Sequence, residues 1–128
     1  MILRLLADAD LNRAICRRRD SPKPGIGLQA CCRFKGIEDV PLEGLDDLTV
    51  LDLAARDQRV LISHDVSTMP DHFRQYTRRN ISSGLILVPQ ELSIGKAIEN
   101  ILVICEACNQ DDIENKICLV PGLVMYGF

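Results

Sequence analysis

The chain has 128 residues, of which 47% are hydrophobic and 26% are charged, and this length suits a single domain spanning residues 1–128 that buries about 65–70% of its unfolded surface. Its formal net charge of −3 argues against a protein that coats nucleic acid non-specifically, but it is compatible with a local basic patch on the surface. No apolar run approaches the ~20 residues that a membrane helix needs, and Arg4 interrupts the N-terminal run with no A-x-A-like site after it, so we expect a cytoplasmic protein without a signal peptide.

Apolar strand-like runs alternate with segments of helical spacing along the chain. In chain order we predict strand 2–7, helix 11–19, loop 20–25, strand 26–32, loop 35–46, helix 47–57, strand 60–64, helix 70–79, strand 84–88, helix 93–108 and strand 117–120. The run 2–7 is continuous rather than alternating, which is typical of a strand covered on both faces. The long helix 93–108 has apolar residues at i, i+3 and i+4 spacing, with Ser93 as its N-cap. The apolar tail 123–128 would pack against the domain or a partner.

This alternation of strands and helices predicts the fold class. Successive βαβ units have right-handed crossovers and place parallel strands between layers of helices. We therefore expect an α/β fold, a three-layer α/β/α sandwich with a mostly parallel central sheet of about five strands.

The six cysteines favour a structural role over a zinc site. They are Cys16, Cys31, Cys32, Cys105, Cys108 and Cys118. The C-x-x-C pair of Cys105 and Cys108 would need a second pair to hold structural zinc, and adjacent strand residues such as Cys31 and Cys32 point to opposite faces. We expect reduced thiols that act as small buried hydrophobes, with zinc as the alternative.

Carboxylates follow directly on two of the predicted strands. The N-terminal run MILRLLADAD stops on Asp8 and Asp10, and the run RVLISHD at 59–65 stops on Asp65. Ligands of open parallel sheets bind beyond the carboxyl ends of the strands. Carboxylates gathered there need compensation by a hard cation such as Mg²⁺ or Mn²⁺, by backbone amides or by an arginine. A metal site is therefore one of three interpretations of these acids.

Other acids could join such a site. Asp10 faces the same side as Asp8 if the strand continues, and is a helix N-cap if the chain has turned. Asp46 and Asp47 open a helix, so that one of them is its cap and the other is available to the site. Asp71 is either another cap or a distal ligand.

The remaining polar side chains near these acids have simpler interpretations. Ser63 could hydrogen-bond a carboxylate or a water next to the metal. His64 alternates to the opposite face from Ser63 and is expected to be a packing or surface residue. His72 is expected to be a surface residue.

Arginines crowd two segments that follow the acid-ended strands. They are Arg13, Arg17, Arg18 and Arg19 in the first segment, and Arg74, Arg78 and Arg79 in the second. Such runs form either solvated faces or a surface for an anionic partner.

Two stretches of the chain resemble the PIN-like nuclease superfamily, and most closely its small single-domain, toxin-like branch. These stretches are LLADADLN at 5–12 and LDDLTVLDLAARDQRVLISHD at 45–65. Asp8 matches the first acid of the family pattern, Asp47 the second, and Asp65 the third. The likeness extends over roughly residues 1–90. The chain departs from the pattern where Asp10 replaces Asn, where Asn12 replaces Pro, and after Asp65, where the next acid is Asp71.

The resemblance implies a metal-dependent ribonuclease, the toxin of a toxin–antitoxin pair. Asp8, Asp47 and Asp65 would be catalytic and hold Mg²⁺ or Mn²⁺, with Asp10 and Asp71 as additional ligands. The implied partners are single-stranded RNA, an antitoxin-like protein and a second copy of the chain in a homodimer. The RNA backbone would be held by Arg13, Arg17, Arg18, Arg78 and Arg79.

Two alternative functions stay open. A catalytically degenerate PIN-like binding or regulatory module would explain the acidic net charge and the displaced acid after Asp65. A phosphotransferase would use Asp8 and Asp10 as an Asp-x-Asp pair, but it needs a nearby lysine, for which Lys96 is the candidate.

Overall fold

The computed structural model of this protein describes residues 3–11, 15, 33–35, 44–121 and 124–127, with the backbone alone for 33–35 and 124–127. In chain order its elements are β1 (Arg4–Ala7), β2 (Arg33–Lys35), α1 (Asp47–Arg56), β3 (Val60–Ser63), α2 (Met69–Thr77), β4 (Leu85–Leu87), α3 (Ile94–Ala107), α4 (Gln110–Ile113), β5 (Lys116–Leu119) and β6 (Val124–Gly127).

One sheet runs through the described residues in the order β2-β1-β3-β4-β5-β6. Its four central strands, β1, β3, β4 and β5, are parallel; β2 extends them in parallel at one side and β6 pairs antiparallel with β5 at the other. The predicted α/β class with a mostly parallel sheet is confirmed. Over the part of the chain described here, the sheet has six strands rather than about five.

The sheet is buried on both faces because alternate strand residues enter two separate hydrophobic clusters. Leu5 packs in the cluster that contains Ile98 and Ile101 of α3, whereas Leu6 packs in the cluster that contains Leu51 of α1 and Phe73 of α2. This alternation is the period of two expected for a strand. It explains why the strands read as continuous apolar runs in the sequence.

Local capping signals fix the beginnings of two of the helices. Asp46 caps α1 by accepting a hydrogen bond from the Thr49 amide at 2.7 Å. The predicted N-cap of α3 is confirmed, since Ser93 accepts from the Lys96 amide at 3.3 Å. An N-cap oxygen satisfies an amide that has no partner within the helix.

Two elements differ from the sequence predictions, and one prediction is untested. The strand β2 covers Arg33–Lys35, and the predicted strand 26–32 lies outside the described residues. The short helix α4 was not predicted; it is fixed by a capping box between Asn109 and Asp112. The tail strand β6 was not predicted as a strand either, because its pairing with β5 is a contact that periodicity does not reveal.

The connections define two ends of the sheet. Residues 8–11, 44–47, 64–68 and 88–93 lie at the carboxyl end, where β1, β3 and β4 finish and where α1, α2 and α3 begin. Residues 56–59, 78–84 and 114–116 lie at the amino end, before β3, β4 and β5. Helices α1 and α2 each run from the carboxyl end back to the amino end, since each connects to a parallel strand.

Cysteine placement agrees with a packing role where the structure describes it. Cys105, Cys108 and Cys118 are reduced cysteines, and Cys108 and Cys118 are buried in the cluster around α3. Burial raises the pKa of Cys118 to about 11, so its thiol stays protonated. The other three, Cys16, Cys31 and Cys32, lie outside the described residues.

Among the described residues, no helix is both long enough and apolar enough to span a membrane.

Candidate acidic site at the carboxyl end of the sheet

Asp8 is held rigidly at the point where β1 ends. Its amide donates to the carbonyl of Ile62 at 2.9 Å, which continues the ladder between β1 and β3 by one residue. Its carboxylate accepts from the Ala9 amide at 2.8 Å through Oδ1 and from the Ser63 hydroxyl at 2.8 Å through Oδ2. The residue is only 8% exposed. The expected hydrogen bond between Ser63 and a carboxylate is therefore present, and it orients Asp8.

The electrostatic surroundings of Asp8 disfavour its charged form. Burial raises the pKa of Asp8 above the ordinary aspartate value, and the nearby negative charges of Asp10 and Asp47 raise it further. The hydrogen bonds from Ser63 and Ala9 lower the pKa, but they do not offset burial and the neighbouring charges together. A buried carboxylate next to two other acids is a costly arrangement unless a cation compensates it.

The sequence left open which of Asp46 and Asp47 caps the helix and which is available to the site, and the structure assigns one role to each. Asp46 is the N-cap of α1, and Asp47, the first residue of the helix, is the acid that influences Asp8. The Asp47 carboxylate lies 3.2 Å from Nε2 of His72 on α2. His72 was expected to be a surface residue, but it is half-buried because this contact joins α2 to the start of α1.

Asp65 has a different environment although it also follows a strand. Its Oδ1 accepts from the amides of Ser67 at 3.3 Å and Thr68 at 2.9 Å, and its Oδ2 accepts from the Thr68 hydroxyl. Partial burial raises its pKa, but these hydrogen bonds together bring the pKa below the ordinary value. Asp65 therefore orders the loop before α2 and is stable as an anion.

Asp8 and Asp65 follow hydrogen-bonded neighbouring strands, as predicted, because β1 pairs directly with β3. A cleft of about 350 Å³ opens at this end of the sheet, with Asp10, His64, Asp65 and Glu91 in its wall. Within the described part of the chain, Asp8 and Asp47 do not belong to that wall. Asp10 connects the two groups, since it lines the cleft and also raises the pKa of Asp8.

The chain turns directly after β1, so Asp10 does not continue the strand. The turn is closed by the Leu11 amide, which donates to the Asp8 carbonyl at 3.0 Å. The reading that places Asp10 on a continued strand is thus wrong. The start of the helix that it would cap falls outside the described residues.

Two further residues line the cleft. His64, interpreted as a packing or surface residue, is partly buried in its wall next to Asp65, with Nδ1 at 2.8 Å from the Val88 carbonyl oxygen. Glu91 was missed altogether. It follows the strand 84–88 by three residues, so the rule that revealed the other acids, a carboxylate just past an apolar run, would have found it.

Asp71 is not the cap of α2. The N-cap is Thr68, and Asp71 is an exposed residue in the first turn of the helix. Thr68 makes no side-chain capping hydrogen bond, and Asp65 accepts from the amide of Thr68 itself, just before the helix begins. The role of Asp71 as a distal metal ligand stays a prediction. It is compatible with the position of Asp71, since α2 begins at the carboxyl end of the sheet, where the other acids lie.

Of the arginines expected to bind RNA, two are described. Arg78 and Arg79 follow the last turn of α2, at the amino end of the sheet, and line a different cleft between α1 and α2. Arg13, Arg17 and Arg18 lie outside the described residues. The lysine required by the phosphotransferase reading, Lys96, is exposed in the first turn of α3 and lies 3.6 Å from Glu99.

The acids at the carboxyl end of the sheet would suit a hard divalent cation. They supply oxygen ligands, and the negative charges near Asp8 would be compensated by the ion. In the described ranges, no group of three or more His, Cys, Asp or Glu side chains is already gathered closely enough to hold an ion. The acids are thus brought to the same end of the sheet as two groups, Asp8 with Asp47 and Asp65 with Glu91.

No protein-family model, curated protein or solved structure matches this chain.

Proposed function

We propose that the protein is a metal-dependent ribonuclease with a three-layer α/β/α sandwich of the PIN-like type. The observation that carries the proposal is Asp8: a carboxylate that is buried, held by Ser63 and surrounded by further acids at the carboxyl end of a parallel sheet. This arrangement opposes the charge of Asp8 in the free protein, and acids whose pKa is perturbed by burial and by neighbouring charges are concentrated at functional sites.

In the proposal Asp8, Asp47 and Asp65 hold Mg²⁺ or Mn²⁺, and Asp10 and Asp71 supply further oxygen ligands. When bound, the ion would polarise the scissile phosphate and lower the pKa of an attacking water. Ser63 keeps the Asp8 carboxylate in one orientation through the 2.8 Å hydrogen bond. The loop bonds of Asp65 keep that side chain anionic at neutral pH.

Single-stranded RNA is the proposed substrate, with its backbone near the carboxyl end contacted by Arg13, Arg17 and Arg18. These arginines follow Asp8 within ten residues of the sequence. A toxin–antitoxin role, with an antitoxin-like protein as partner and a homodimer as the assembly, completes the proposal.

Cleavage of single-stranded RNA tests the proposal. We expect cleavage only with Mg²⁺ or Mn²⁺, and a loss of about 100-fold or more in Asp8→Asn and in Asp65→Asn, because the lost carboxylate would hold the charge-stabilising ion. Asp111→Asn is the matched control, since Asp111 is exposed on α4 and distant in the chain from the acids. Metal-dependent cleavage that survives in Asp8→Asn would refute the site.

A degenerate binding module is the second candidate, and Asp65 favours it. Both oxygens of Asp65 already accept hydrogen bonds from the loop before α2, so its role is explained without an ion. This candidate predicts that RNA is bound but not cut with any divalent ion. Measuring binding and cleavage on the same labelled RNA separates the two candidates.

A further inference from the structure

A second cleft, larger than the acidic one, lies between α1 and α2. Its volume is about 590 Å³, compared with about 350 Å³ for the cleft near Asp65. This is within the range of about 300–1,000 Å³ that is usual for small-ligand sites. The residues that decide its chemistry are Asp46, Leu48, Asp52, Tyr76, Arg78 and Arg79.

The acid in the middle of this cleft, Asp52, is already compensated. Its Oδ2 lies 2.8 Å from Nε of Arg56, one helical turn further along α1, and its Oδ1 accepts from the Tyr76 hydroxyl at 3.0 Å. Burial and the Asp52 carboxylate raise the pKa of Tyr76 to about 12, so the hydroxyl remains a donor at any physiological pH. Asp52 therefore adds little repulsion towards an anion in the cleft.

The two arginines of the cleft retain their binding capacity. Arg78 and Arg79 are exposed, and among the described residues neither guanidinium has a hydrogen-bond or ion-pair partner. Each guanidinium offers a planar set of donors that matches a phosphate group in a two-bond geometry. Two such groups on adjacent residues make this end of the cleft positively charged.

The opposite end of the cleft has an acceptor instead. Asp46 lies at the start of α1, six residues before Asp52, which is about 9 Å along the helix axis at ~1.5 Å per residue. Its Oδ1 accepts from the Thr49 amide at 2.7 Å, and as an exposed carboxylate it has oxygen lone pairs left to accept a hydrogen bond from a ligand. The cleft is thus basic at the end near Arg78 and acidic at the end near Asp46, with the partly buried Leu48 along its wall.

We propose that this cleft binds a nucleoside phosphate, either free or as one unit of single-stranded RNA. The phosphate would lie on Arg78 and Arg79, and a hydroxyl or amino group of the nucleoside would donate to Asp46. A uniformly anionic partner, such as an acidic peptide, fits less well because Asp46 repels it. Arg78 and Arg79 were also expected to hold the RNA of a ribonuclease, but binding in this cleft does not require cleavage, since Asp8, Asp47 and Asp65 are not in its wall.

Binding measured in EDTA tests the cleft without any cleavage. Two probes are used with the full chain: adenosine 5′-monophosphate by calorimetry, and a fluorescein-labelled oligoadenylate of about ten nucleotides by anisotropy. In Arg78→Ala/Arg79→Ala we expect both affinities to fall about tenfold or more, because two charge-assisted contacts are lost. For the oligonucleotide, the slope of log K against log salt should decrease by about 0.7, since the two arginines share one phosphate and each phosphate neutralised on a single strand contributes about 0.7.

Two variants make the test specific. Arg78→Lys/Arg79→Lys keeps both charges but removes the planar donors, so we expect an intermediate loss. Lys96→Ala/Lys116→Ala changes the net charge equally with exposed residues outside the cleft, and we expect unchanged affinities. Unaltered melting temperatures would confirm that the variants fold.

The outcomes are distinguishable from one another. Binding of the oligonucleotide alone identifies RNA as the source of the phosphate, and binding of both probes identifies a nucleotide site. Three results would overturn the proposal: no binding of either probe, an equal loss in the lysine control, or displacement of the probe by a polyglutamate peptide as effectively as by adenosine monophosphate. Loss of cleavage in Asp8→Asn with unchanged binding here would leave this proposal standing.

Discussion

The two ends of the sheet contain buried charges in opposite surroundings. At the amino end, the buried Arg59 donates to Asp57 at 2.5 Å and to the Leu5 carbonyl at 3.2 Å, and Arg4 lies 3.3 Å from the same aspartate. At the carboxyl end, Asp8 is equally buried, but the charges that act on it come from Asp10 and Asp47. The first arrangement pairs the buried cation with a carboxylate and stabilises the fold, whereas the second gathers charges of the same sign that a ligand would compensate.

The largest effect is expected from breaking the amino-end network. Asp57→Asn leaves Arg59 buried without its carboxylate, which should lower the free energy of unfolding by about 2 kcal/mol and the melting temperature by roughly 8 °C. The same substitution at Asp111, on the surface, is the control, and its melting temperature should stay within about 1 °C of the parent. Equal melting temperatures for the two variants would contradict the stabilising role of the amino end.

A divalent cation should stabilise the carboxyl end. With Mn²⁺ at about ten times its dissociation constant, the free energy of unfolding should rise by about 1.4 kcal/mol. We expect this rise to disappear in Asp8→Asn and to persist in Asp57→Asn, once each is compared with its own metal-free state. If Asp8→Asn keeps the full rise in a thermal melt, the ion binds elsewhere.

The pH dependence of stability should differ in sign between Asp8 and Asp65. Because its pKa is raised, Asp8 keeps its proton to a higher pH in the folded state than in the unfolded state. The contribution of Asp8 to the free energy of unfolding is therefore lost as the pH rises above the ordinary aspartate pKa of about 3.9. The lowered pKa of Asp65 gives a contribution that is present above that value and is lost as the pH falls through the folded pKa.

Denaturant melts in EDTA between about pH 3 and pH 7 measure this difference. Relative to the parent, Asp8→Asn should gain stability as the pH rises, and Asp65→Asn should lose it. Parallel curves for the two variants would show that the two acids share one environment.

The smallest effect is expected at Asp71. This residue is exposed in the first turn of α2 and interacts with the helix dipole, so Asp71→Asn should change the free energy of unfolding by less than about 0.5 kcal/mol. RNA cleavage by the same variant decides its remaining role. A loss similar to that in Asp65→Asn would make Asp71 a ligand, and unchanged cleavage would leave it as a surface acid.

Most helices and strands were predictable because their signals are local. The apolar run that became β3 and the spacing in α3 needed only the period of the residues, and Ser93 marked its helix correctly. The pairing of β6 with β5 was not predictable, since an apolar tail can equally pack by its side chains. The same holds for the choice between Asp46 and Asp47, which depends on where α1 begins and on the position of His72.

By itself, the sequence determined that this chain forms an α/β domain and that acids follow its strands, because hydrophobic period and strand length are properties of neighbouring residues. Only the tertiary structure decided what those acids experience. Asp8 and Asp65 look alike in sequence, but burial near Asp10 and Asp47 raises the pKa of the first and loop hydrogen bonds lower the pKa of the second. It also decided that Arg78 lies at the end of the sheet opposite to Asp8, since α2 returns across the domain before β4 begins. The interaction between two charges depends on the distance between them, and the packing of the helices and strands fixes that distance.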